Sequence, residues 1–459
     1  MGLFDFAEDA LAGVGLGDPV LRLGVTGLSR AGKTVFITSL VANLLDRGRM
    51  HALRAAADGT ITAAWLQPQP DDTVPRFDYE RHLAAMTGPN PHWPDGTRHV
   101  SQLRLSLRLQ PRGLLSGLRG PRVVHLDIVD YPGEWLLDLR LMDKSFAEWS
   151  AEVIGRMAGR PLADAYLSQV AALPDDAAFD EPTAQRLASA YTAHLSAARE
   201  AGWSDCTPGR FLLPGEMAGS PALTFAPMLP PAGKSGLYRE MSRRFESYKS
   251  RVVRPFFRDH FARIDRQVVL MDVLGAIHNG PQAVEDMRRA MADILTAFRP
   301  GRAGWLAQLL GTRRVERIMF AATKADHLHH VQHGRLTAIL TALLREARDR
   351  ADFSGARTEA LSIAALRAST EEMITQDGQD LPAVRGRLMD GRLAAFFPGE
   401  LPADPAALLA PARDGAQHWL DGDYAVMNFA PAPLTLKPGD GPPHIRLDRA
   451  AEFLIGDRL

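Results

Sequence analysis

Cysteine is almost absent from this chain of 459 residues, which contains only Cys206. A single cysteine excludes an internal disulfide framework and is typical of a protein in a reducing compartment. Long hydrophobic runs are also missing, and none approaches the roughly 20 residues that a membrane-spanning helix requires. The first residues, 1–9, are acidic where a secretory signal peptide would be basic. We therefore expect no transmembrane segment and a location in the cytoplasm.

An excess of either charge is missing too, because 53 basic residues face 54 acidic ones and the formal net charge is −1. This balance gives no indication of a nucleic-acid partner. Lysine is scarce, and arginine supplies most of the positive charge. Two of the few lysines, Lys33 and Lys324, stand in motifs typical of nucleotide-binding proteins, where a guanidinium is a poor substitute for a compact ammonium group.

A glycine-rich stretch at residues 27–34, GLSRAGKT, matches the phosphate-binding P-loop pattern G-x-x-x-x-G-K-[ST]. The alternating segment 20–26 predicts a strand before it, and apolar residues at helical spacing over 35–45 predict a helix after it. Such a loop turns successive N–H groups toward one concavity, and the helix N-terminus adds partial positive charge. The residues that we expect to contact a nucleotide here are Gly27, Ser29, Arg30, Ala31, Gly32, Lys33, Thr34 and Val35.

Three side chains are expected to hold Mg²⁺ beside this loop. The hydroxyl of Thr34 is the first, and the neighbouring Lys33 should reach the β- and γ-phosphates. Asp130 is the second, because it ends a predicted strand and begins the pattern Asp-x-x-Gly, whose Gly133 N–H would contact the γ-phosphate. Thr97, just before a predicted hairpin, is the third and would bind the metal in the triphosphate state.

Two of these assignments have alternatives. Asp272 also begins an Asp-x-x-Gly pattern at the end of an apolar run, and would replace Asp130 in an ATPase. We favour Asp130 because an antiparallel hairpin, predicted over 99–129, directly precedes it as in GTPases. Two other loop threonines compete with Thr97, namely Thr73 and Thr87.

Glu134 stands directly after Asp-x-x-Gly, where Ras-like enzymes place a glutamine that orients the attacking water. A carboxylate there can act as a base, but its charge repels the γ-phosphate. We take Glu134, Lys33 and Thr97 as the catalytic candidates and expect slow intrinsic turnover. For Arg30 in the P-loop, a phosphate contact and a solvated side chain both remain open.

Base recognition is predicted for the pattern TKAD, which follows a predicted strand at 315–322. Asp326 would accept two hydrogen bonds from the N1–H and the exocyclic amine of guanine, and Lys324 would lie along the base. Thr323 replaces the usual asparagine, which weakens the expectation of guanine selectivity. A later turn at Ala365 and Leu366 stands where Ser-Ala-Lys is usual, but its backbone N–H groups can still meet the guanine O6.

The motifs each follow a predicted strand, and ligands of open α/β sheets bind at the carboxyl ends of the strands. Their order predicts an α/β P-loop NTPase with a Ras-like G domain and a mixed, mostly parallel sheet. We expect a discontinuous core at 1–139 and 264–370, a large helical insertion at 140–263, and a C-terminal extension at 371–459 that packs on the core.

Other segments carry weaker signals. Residues 3–15 predict a short amphipathic helix, and 52–99, rich in Pro, Asp and Gly, predict a long, partly ordered connection. A long helix is predicted over 237–266, with a kink at Pro255 and a solvated face of mixed charge. A group of histidines suggests a metal site, but no carboxylate or cysteine joins them at ligand spacing, so we do not expect one. These histidines are His327, His329, His330 and His333.

The chain resembles the YcjX-like family of bacterial stress-induced P-loop GTPases over nearly its whole length. Beyond the nucleotide motifs, the resemblance rests on WPDGTR (93–98), DYPGEWLLDL (130–139), FFPGELP (396–402) and HIRLDRAAEFLIGDRL (444–459). It implies a Ras-like core with a helical insertion, binding of GTP and GDP, and expression under envelope or heat stress. It is also compatible with an inner-membrane protein partner and with peripheral attachment at that membrane.

These residues and the resemblance together predict a Mg²⁺-dependent GTP-binding protein that hydrolyses GTP slowly to GDP and phosphate, as a stress-response switch. Two alternatives remain. One is an ATPase that uses Asp272, and the other is a nucleotide-stabilised interaction module with negligible hydrolysis.

Replacing the P-loop lysine, Lys33→Ala, is expected to abolish triphosphate binding, because no other lysine lies near it in the sequence. The loss of a charge-assisted contact with phosphate should cost at least about 1.5–3 kcal/mol of binding free energy. Isothermal titration calorimetry measures this loss directly. An unchanged affinity would contradict the P-loop assignment.

Overall fold

The computed structural model of the protein describes residues 18–28, 30–96, 99–110, 120–296, 315–345, 356–376, 378–419 and 426–459. The chain divides into two compact units. The first contains residues 1–131, 264–281 and 314–459, and the second contains residues 132–263 and 282–313. The first unit therefore contains the predicted C-terminal extension and most of the predicted core, whereas residues 132–139 and 282–313 of that core belong to the second unit. The helix predicted at 3–15 lies outside the described residues.

The first unit is built on a mixed, mostly parallel sheet of seven strands in the order β2-β3-β4-β1-β5-β6-β7, and a smaller sheet has the order β10-β9-β8. In the large sheet, β1 lies parallel to β4 and β5, whereas β2, β3 and β4 pair in antiparallel fashion. The strands are β1 (Val20–Gly27), β2 (Ile61–Gln67), β3 (Ser101–Leu109), β4 (Arg122–Asp130), β5 (Arg266–Met271), β6 (Arg317–Ala322), β7 (Arg357–Ser362), β8 (Ser369–Gln376), β9 (Gln379–Arg387) and β10 (Leu393–Phe396).

The α-helices of the described residues flank this sheet in the first unit and form most of the second. They are α1 (Lys33–Leu45), α2 (Arg54–Ala57), α3 (Tyr79–Thr87), α4 (Glu134–Leu137), α5 (Phe146–Arg156), α6 (Ala163–Ala171), α7 (Glu181–Glu200), α8 (Gly209–Leu212), α9 (Gly236–Tyr248), α10 (Arg254–Asp259), α11 (Val273–His278), α12 (Pro281–Thr296), α13 (His333–Leu343), α14 (Ala406–Arg413) and α15 (Leu447–Ile455). Among the residues described, we find no helix that combines the length and the apolar character needed to cross a bilayer.

The centre of the large sheet is buried on both faces. Every residue of β5 is buried, as expected for a Val- and Leu-containing parallel strand between two others. Helix α1, which follows β1, is buried around most of its circumference and packs into the same core. The hairpin predicted from the alternating segments is confirmed as β3 and β4, in antiparallel register from Ser101 to Leu109.

The segment 52–99, predicted as a long, partly ordered connection, contains a strand and a helix that were not predicted. Strand β2 pairs with β3, and helix α3 follows it. Most side chains of β2 are only partly buried, because it is the edge strand of the sheet. Its sequence, ITAAWLQ, therefore lacks the clear alternation of a strand with one buried face.

The C-terminal helix α15 belongs to the core of the first unit. Its buried face contributes Leu447, Ala450, Leu454 and Ile455 to the main hydrophobic cluster. The fully buried guanidinium of Arg266 donates to the carbonyl of Leu454 at 3.0 Å. It also pairs with the carboxylate of Asp457 at 2.9 Å. The last residues of the chain thus complete the layer against β5 and β6.

In the second unit, aromatic rings fill the interior around Trp149. Its indole stacks on Phe245 at a centroid distance of 5.1 Å and meets Phe225 edge-on at 5.5 Å. The long helix predicted over 237–266 is divided into α9, a π-helical turn at Lys249–Val253, and α10. The π-helical turn therefore precedes Pro255, which is the second residue of α10.

Buried ion pairs explain why α12 joins the second unit. Arg160 pairs with Asp286 of α12 at 2.7 Å, and Arg140 pairs with Asp293 of the same helix. Arg140 also binds Asp205 at 2.9 Å. Breaking a buried pair leaves an uncompensated charge, so these contacts fix α12 to its partners within the unit.

The substitution Leu454→Ala is expected to lower the free energy of unfolding of the first unit by about 2–5 kcal/mol, because it leaves a cavity in a fully buried layer. Urea unfolding, followed by hydrogen exchange of the β5 and β6 amides, measures the change. The control is Leu393→Ala on β10, whose side chain is 70% exposed and should change the stability by less than about 0.5 kcal/mol. Equal effects of the two substitutions would contradict the assigned packing.

Candidate functional site: a nucleotide-binding edge

Five neighbouring parallel strands of the large sheet, β4, β1, β5, β6 and β7, end at the same edge. The register pairs Val25 with Asp130, Gly27 with Leu270, and Met271 with Ala322. It also pairs Ala322 with Ser362 at the end of β7. The P-loop, Asp130, the TKAD segment and the last turn therefore follow strands that finish level with one another, as ligand sites of open α/β sheets require.

The P-loop has the backbone of a phosphate-binding turn. Arg30 and Gly32 both have positive φ, of 63° and 80°, and α1 begins directly after Gly32. The Ala31 N–H closes a turn on the carbonyl of Leu28 at 3.1 Å. The N-terminus of α1, with its partial positive charge, therefore lies directly at the loop that would hold a phosphate.

Gly27 is needed for the close approach of β1 to β5. A Cβ atom added there would lie 2.6 Å from the carbonyl oxygen of Leu270 and 3.1 Å from the Cβ of Ala31. At Gly32, in contrast, an added Cβ would meet no atom of the described residues within 4 Å, and its left-handed backbone is one that glycine adopts without strain. The two glycines of the motif are therefore present for different physical reasons: close packing of the strands at Gly27 and a left-handed backbone at Gly32.

The ammonium of Lys33 donates to the carbonyl of Gly27 at 3.0 Å and so lies across the loop. Thr34 is buried, and its hydroxyl lies 3.5 Å from the carbonyl oxygen of Asp95. Arg30 is exposed and Val35 is partly buried against the core. The backbone at Asp95 therefore lies close to the predicted metal-binding hydroxyl of Thr34. Two predicted site residues, Ser29 and Thr97, lie outside the described residues.

Asp130 is buried at the end of β4, beside Val25 of β1. Directly after it, the buried Tyr131 donates its hydroxyl to the side-chain oxygen of Gln267 at 2.6 Å. Burial raises the pKa of Tyr131 well above its usual value, so the phenol stays neutral. Asp130 and Thr34 belong to the same unit, and both carry the oxygen atoms that Mg²⁺ prefers as ligands.

Gly133 and Glu134 belong to the second unit, where Glu134 opens the short helix α4. Glu134 is 4% exposed, and its Oε2 has no hydrogen-bond partner among the described residues. The backbone of Gly209 packs closely on Glu134, since a Cβ at Gly209 would lie 2.2 Å from the Glu134 carbonyl oxygen. A buried carboxylate oxygen with this environment is suited to hold a water molecule.

The TKAD segment is fixed mainly by backbone contacts. Thr323 bonds to the carbonyl of Met271 through its N–H at 2.9 Å and its hydroxyl at 3.2 Å. Asp326 is buried, and its Oδ2 accepts a hydrogen bond from the Ala368 N–H at 2.8 Å. Lys324 has a left-handed backbone, with φ of 59°. One carboxylate oxygen of Asp326 is thus held, which orients the other.

Three residues that sequence reasoning missed support this segment. Ala368 and Ser369, after the last turn, bind the carboxylate and the carbonyl of Asp326 respectively. His333 of α13 contacts the carbonyls of Ala325 at 2.7 Å and Leu328 at 3.1 Å through Nε2. Burial lowers the pKa of His333, so the ring is neutral and donates one proton there. Ala368 and Ser369 lie more than 40 residues from Asp326 in the sequence, so no local pattern reveals their contacts with it.

The last turn itself is buried in the first unit. Ala364 exchanges backbone hydrogen bonds with Ile445, at 3.1 and 2.8 Å, and Ala365 and Leu366 are both buried. The Ala325 N–H bonds to the carbonyl of Ile363 at 3.0 Å and ties this turn to the TKAD segment. The small side chains thus suit a backbone-only contact.

Asp272, the alternative metal ligand, has both carboxylate oxygens occupied by the protein. Its Oδ1 caps α11 by accepting from the Gly275 N–H at 2.9 Å, and its Oδ2 pairs with Lys324. A Cβ at Gly275 would lie 2.8 Å from that carboxylate. The second Asp-x-x-Gly match is therefore explained by a helix cap. Asp272 caps α11, and Gly275 leaves space for the Asp272 carboxylate.

The structure also brings a carboxylate to the histidines. Glu371 of β8 lies 2.6 Å from Nδ1 of His330 and 3.8 Å from Nε2 of His329. The motif analysis did not indicate this residue, because Glu371 lies 41 residues beyond His330 in the chain. The 2.6 Å contact is a hydrogen bond, and Arg367 lies 3.7 Å from the same carboxylate. His327 and His333 are buried and take no part in it.

The fold and the site together define an α/β P-loop nucleotide-binding protein with a Ras-like G domain, a helical insertion and a C-terminal extension. A family model described as the YcjX-like family, DUF463, matches residues 21–459. The chain belongs to this family.

Two curated relatives are similar to this chain along nearly its whole length. The "Ras-like GTPase YcjX" of Escherichia coli (strain K12) is 38% identical over 463 residues, covering 96% of this chain and 96% of the relative. The "Ras-like GTPase YcjX" of Shewanella oneidensis (strain MR-1) is 35% identical over 470 residues, covering 96% and 95%.

The substitution Gly275→Ala is expected to lower the free energy of unfolding by about 1–3 kcal/mol, although alanine favours helices, because its Cβ displaces the capping carboxylate of Asp272. The control is Gly334→Ala in α13, where an added Cβ meets nothing within 4 Å. The control should be stabilised by about 0.5–1 kcal/mol. Urea unfolding without nucleotide compares the two, and a Gly275→Ala variant as stable as the control would refute the cap.

Proposed function

We propose that this protein is a Mg²⁺-dependent GTPase that binds GTP and GDP at the edge formed by the P-loop, Asp130 and the TKAD segment. The observation that carries the proposal is the placement of Asp326. Its carboxylate is buried at the end of β6 with one oxygen held by Ala368, at the same sheet edge as the P-loop. The names of the two relatives, each a Ras-like GTPase, support the same activity.

The separation between the two halves of the site suits a nucleotide. Strand β5 lies between β1 and β6, so the P-loop and the TKAD segment are about 10 Å apart across the sheet. A nucleoside diphosphate can place its phosphates at one and its base at the other. In this pose Gly27, Gly32 and the N-terminus of α1 hold phosphate, and Asp326 accepts from the guanine edge.

The residues of the first unit then have distinct roles. When a nucleotide binds, the Lys33 ammonium would leave the Gly27 carbonyl and contact the β- and γ-phosphates. The charged phosphates would replace a neutral hydrogen-bond acceptor. Thr34 and Asp130, with Thr97 in the triphosphate state, would supply oxygen ligands to Mg²⁺. The bound ion would neutralise charge on the phosphates. The backbone of Ala365 and Leu366 would face the guanine O6.

Hydrolysis needs a group that orients the attacking water, and Glu134 is our candidate. Its buried Oε2, which lacks a protein partner in the described part of the chain, can accept a hydrogen bond from water. The Gly133 N–H would contact the γ-phosphate. Because a carboxylate repels that phosphate, we expect slow intrinsic turnover and a switch in the stress response rather than a fast metabolic enzyme.

The alternatives have less support. An ATPase that uses Asp272 would need a carboxylate free for a metal, whereas both oxygens of Asp272 are engaged. A nucleotide-binding module without hydrolysis would not explain why Glu134 keeps a buried oxygen without a partner among the described residues.

We further propose that residues 140–263 form an insertion in a core made of residues 1–139 and 264–370. We also propose that the protein is cytoplasmic and has a protein partner at the inner membrane.

Base choice tests the proposal. We expect GDP to bind at least about a hundredfold more tightly than ADP, roughly 2.7 kcal/mol, because adenine leaves the buried Asp326 carboxylate unpaired. Asp326→Asn should shift the preference toward xanthosine diphosphate, whose C2 carbonyl accepts from the new amide. Calorimetry with each nucleotide, with Mg²⁺ and with a chelator, measures both effects.

A matched control is Asp440→Asn, which removes a carboxylate that pairs with Arg49 at 3.4 Å in the same unit. It should leave all nucleotide affinities unchanged. Equal affinity of the unmodified chain for GDP and ADP, or no gain of xanthosine diphosphate binding in Asp326→Asn, would contradict the assigned base site.

A further inference from the structure

Lys324 is held by an ion pair that the nucleotide motifs do not include. Its ammonium contacts Oδ2 of Asp272, which stands at the end of β5, the strand next to β6. The Lys324 side chain is 30% exposed and the Asp272 side chain 16%. The lysine therefore has one side toward the protein, at Asp272, and one side open, where a base can lie.

The carboxylate that holds Lys324 is itself fixed. Its other oxygen, Oδ1, caps α11 through the Gly275 N–H at 2.9 Å, and Gly275 leaves the space that the carboxylate occupies. An acceptor with one oxygen bound to a helix terminus loses its rotational freedom. Asp272 thus presents Oδ2 to Lys324 in a defined direction.

The two strand ends are joined by further hydrogen bonds. Thr323, just before Lys324, bonds twice to the carbonyl of Met271, just before Asp272. The backbone at Lys324 is left-handed, with φ of 59°, a conformation that costs a non-glycine residue about 1–2 kcal/mol. The Thr323 bonds and the Asp272 ion pair compensate for that cost, so the base-binding conformation exists before the nucleotide arrives.

We propose that Asp272 is a positioning residue for guanine specificity. It holds the Lys324 side chain beside the plane of the base and fixes the segment that carries Asp326. The inference rests on the proposed function, since it concerns the base end of that same site. It also assigns a second task to the Asp-x-x-Gly match of β5: the aspartate supports base recognition and binds no metal.

The test uses Asp272→Asn in the full chain. The amide is isosteric and its oxygen can still cap α11, but it removes the charge that holds Lys324. The affinities for GDP and ADP are measured by competition against a fluorescent GDP analogue, with Asp440→Asn as the control. We expect the dissociation constant of GDP to rise about tenfold and that of ADP to change by less than about twofold. An unchanged urea-unfolding midpoint confirms that the variant is folded.

A double-mutant cycle with Lys324→Met separates positioning from a general structural role. If Asp272 acts through Lys324, the double variant binds GDP no more weakly than Lys324→Met alone. Additive losses, equal losses for GDP and ADP, or no loss at all would each overturn the inference. A wild-type chain without preference for GDP would overturn the proposed function together with the inference. A preference that survives in Asp272→Asn overturns the inference alone.

Discussion

The parallel pairing of β1 with β4 on one side and β5 on the other is the constraint on which the rest of the site depends. Its register places Asp130 beside Val25 and Leu270 beside Gly27, so that the strand ends are level. Glycine at 27 permits this approach, because any Cβ would collide with the Leu270 carbonyl. Hydrogen bonding across β5 then sets the TKAD segment at a fixed distance from the P-loop. The geometry of the site is therefore a property of strand register.

The sequence alone predicted the parts of the site that are local. The P-loop has a glycine pattern with its own backbone requirement, and the hairpin that ends at Asp130 alternates clearly. In contrast, Ala368 and Ser369 bind Asp326 across more than 40 residues of sequence, through a backbone N–H and a hydroxyl that carry no motif. Strand β2 was missed because an edge strand buries few of its side chains.

The second unit shows a different limit of sequence patterns. The long helix expected over 237–266 is continuously helical only from Gly236 to Asp259, and its π-helical turn at Lys249–Val253 depends on packing and has no propensity signal. Helix α12 follows the core strand β5 in the chain, yet it belongs to the helical unit through charges at Asp286 and Asp293. Amphipathic periodicity predicts that a helix exists and does not predict which charged partners it will find.

The acidic residues at the two Asp-x-x-Gly matches are distinguished by the partners that surround them. Asp272 is satisfied by a helix N-terminus and a lysine, so a metal ion would have to displace both contacts. Glu134, directly after the other match, keeps a buried oxygen without a protein partner among the described residues. An unsatisfied buried acceptor costs about 1–3 kcal/mol of folding free energy, more when it is charged. Because both oxygens of Asp272 are satisfied, a supporting role is favoured for this residue. Because one oxygen of Glu134 is unsatisfied, a role in binding water is favoured for Glu134.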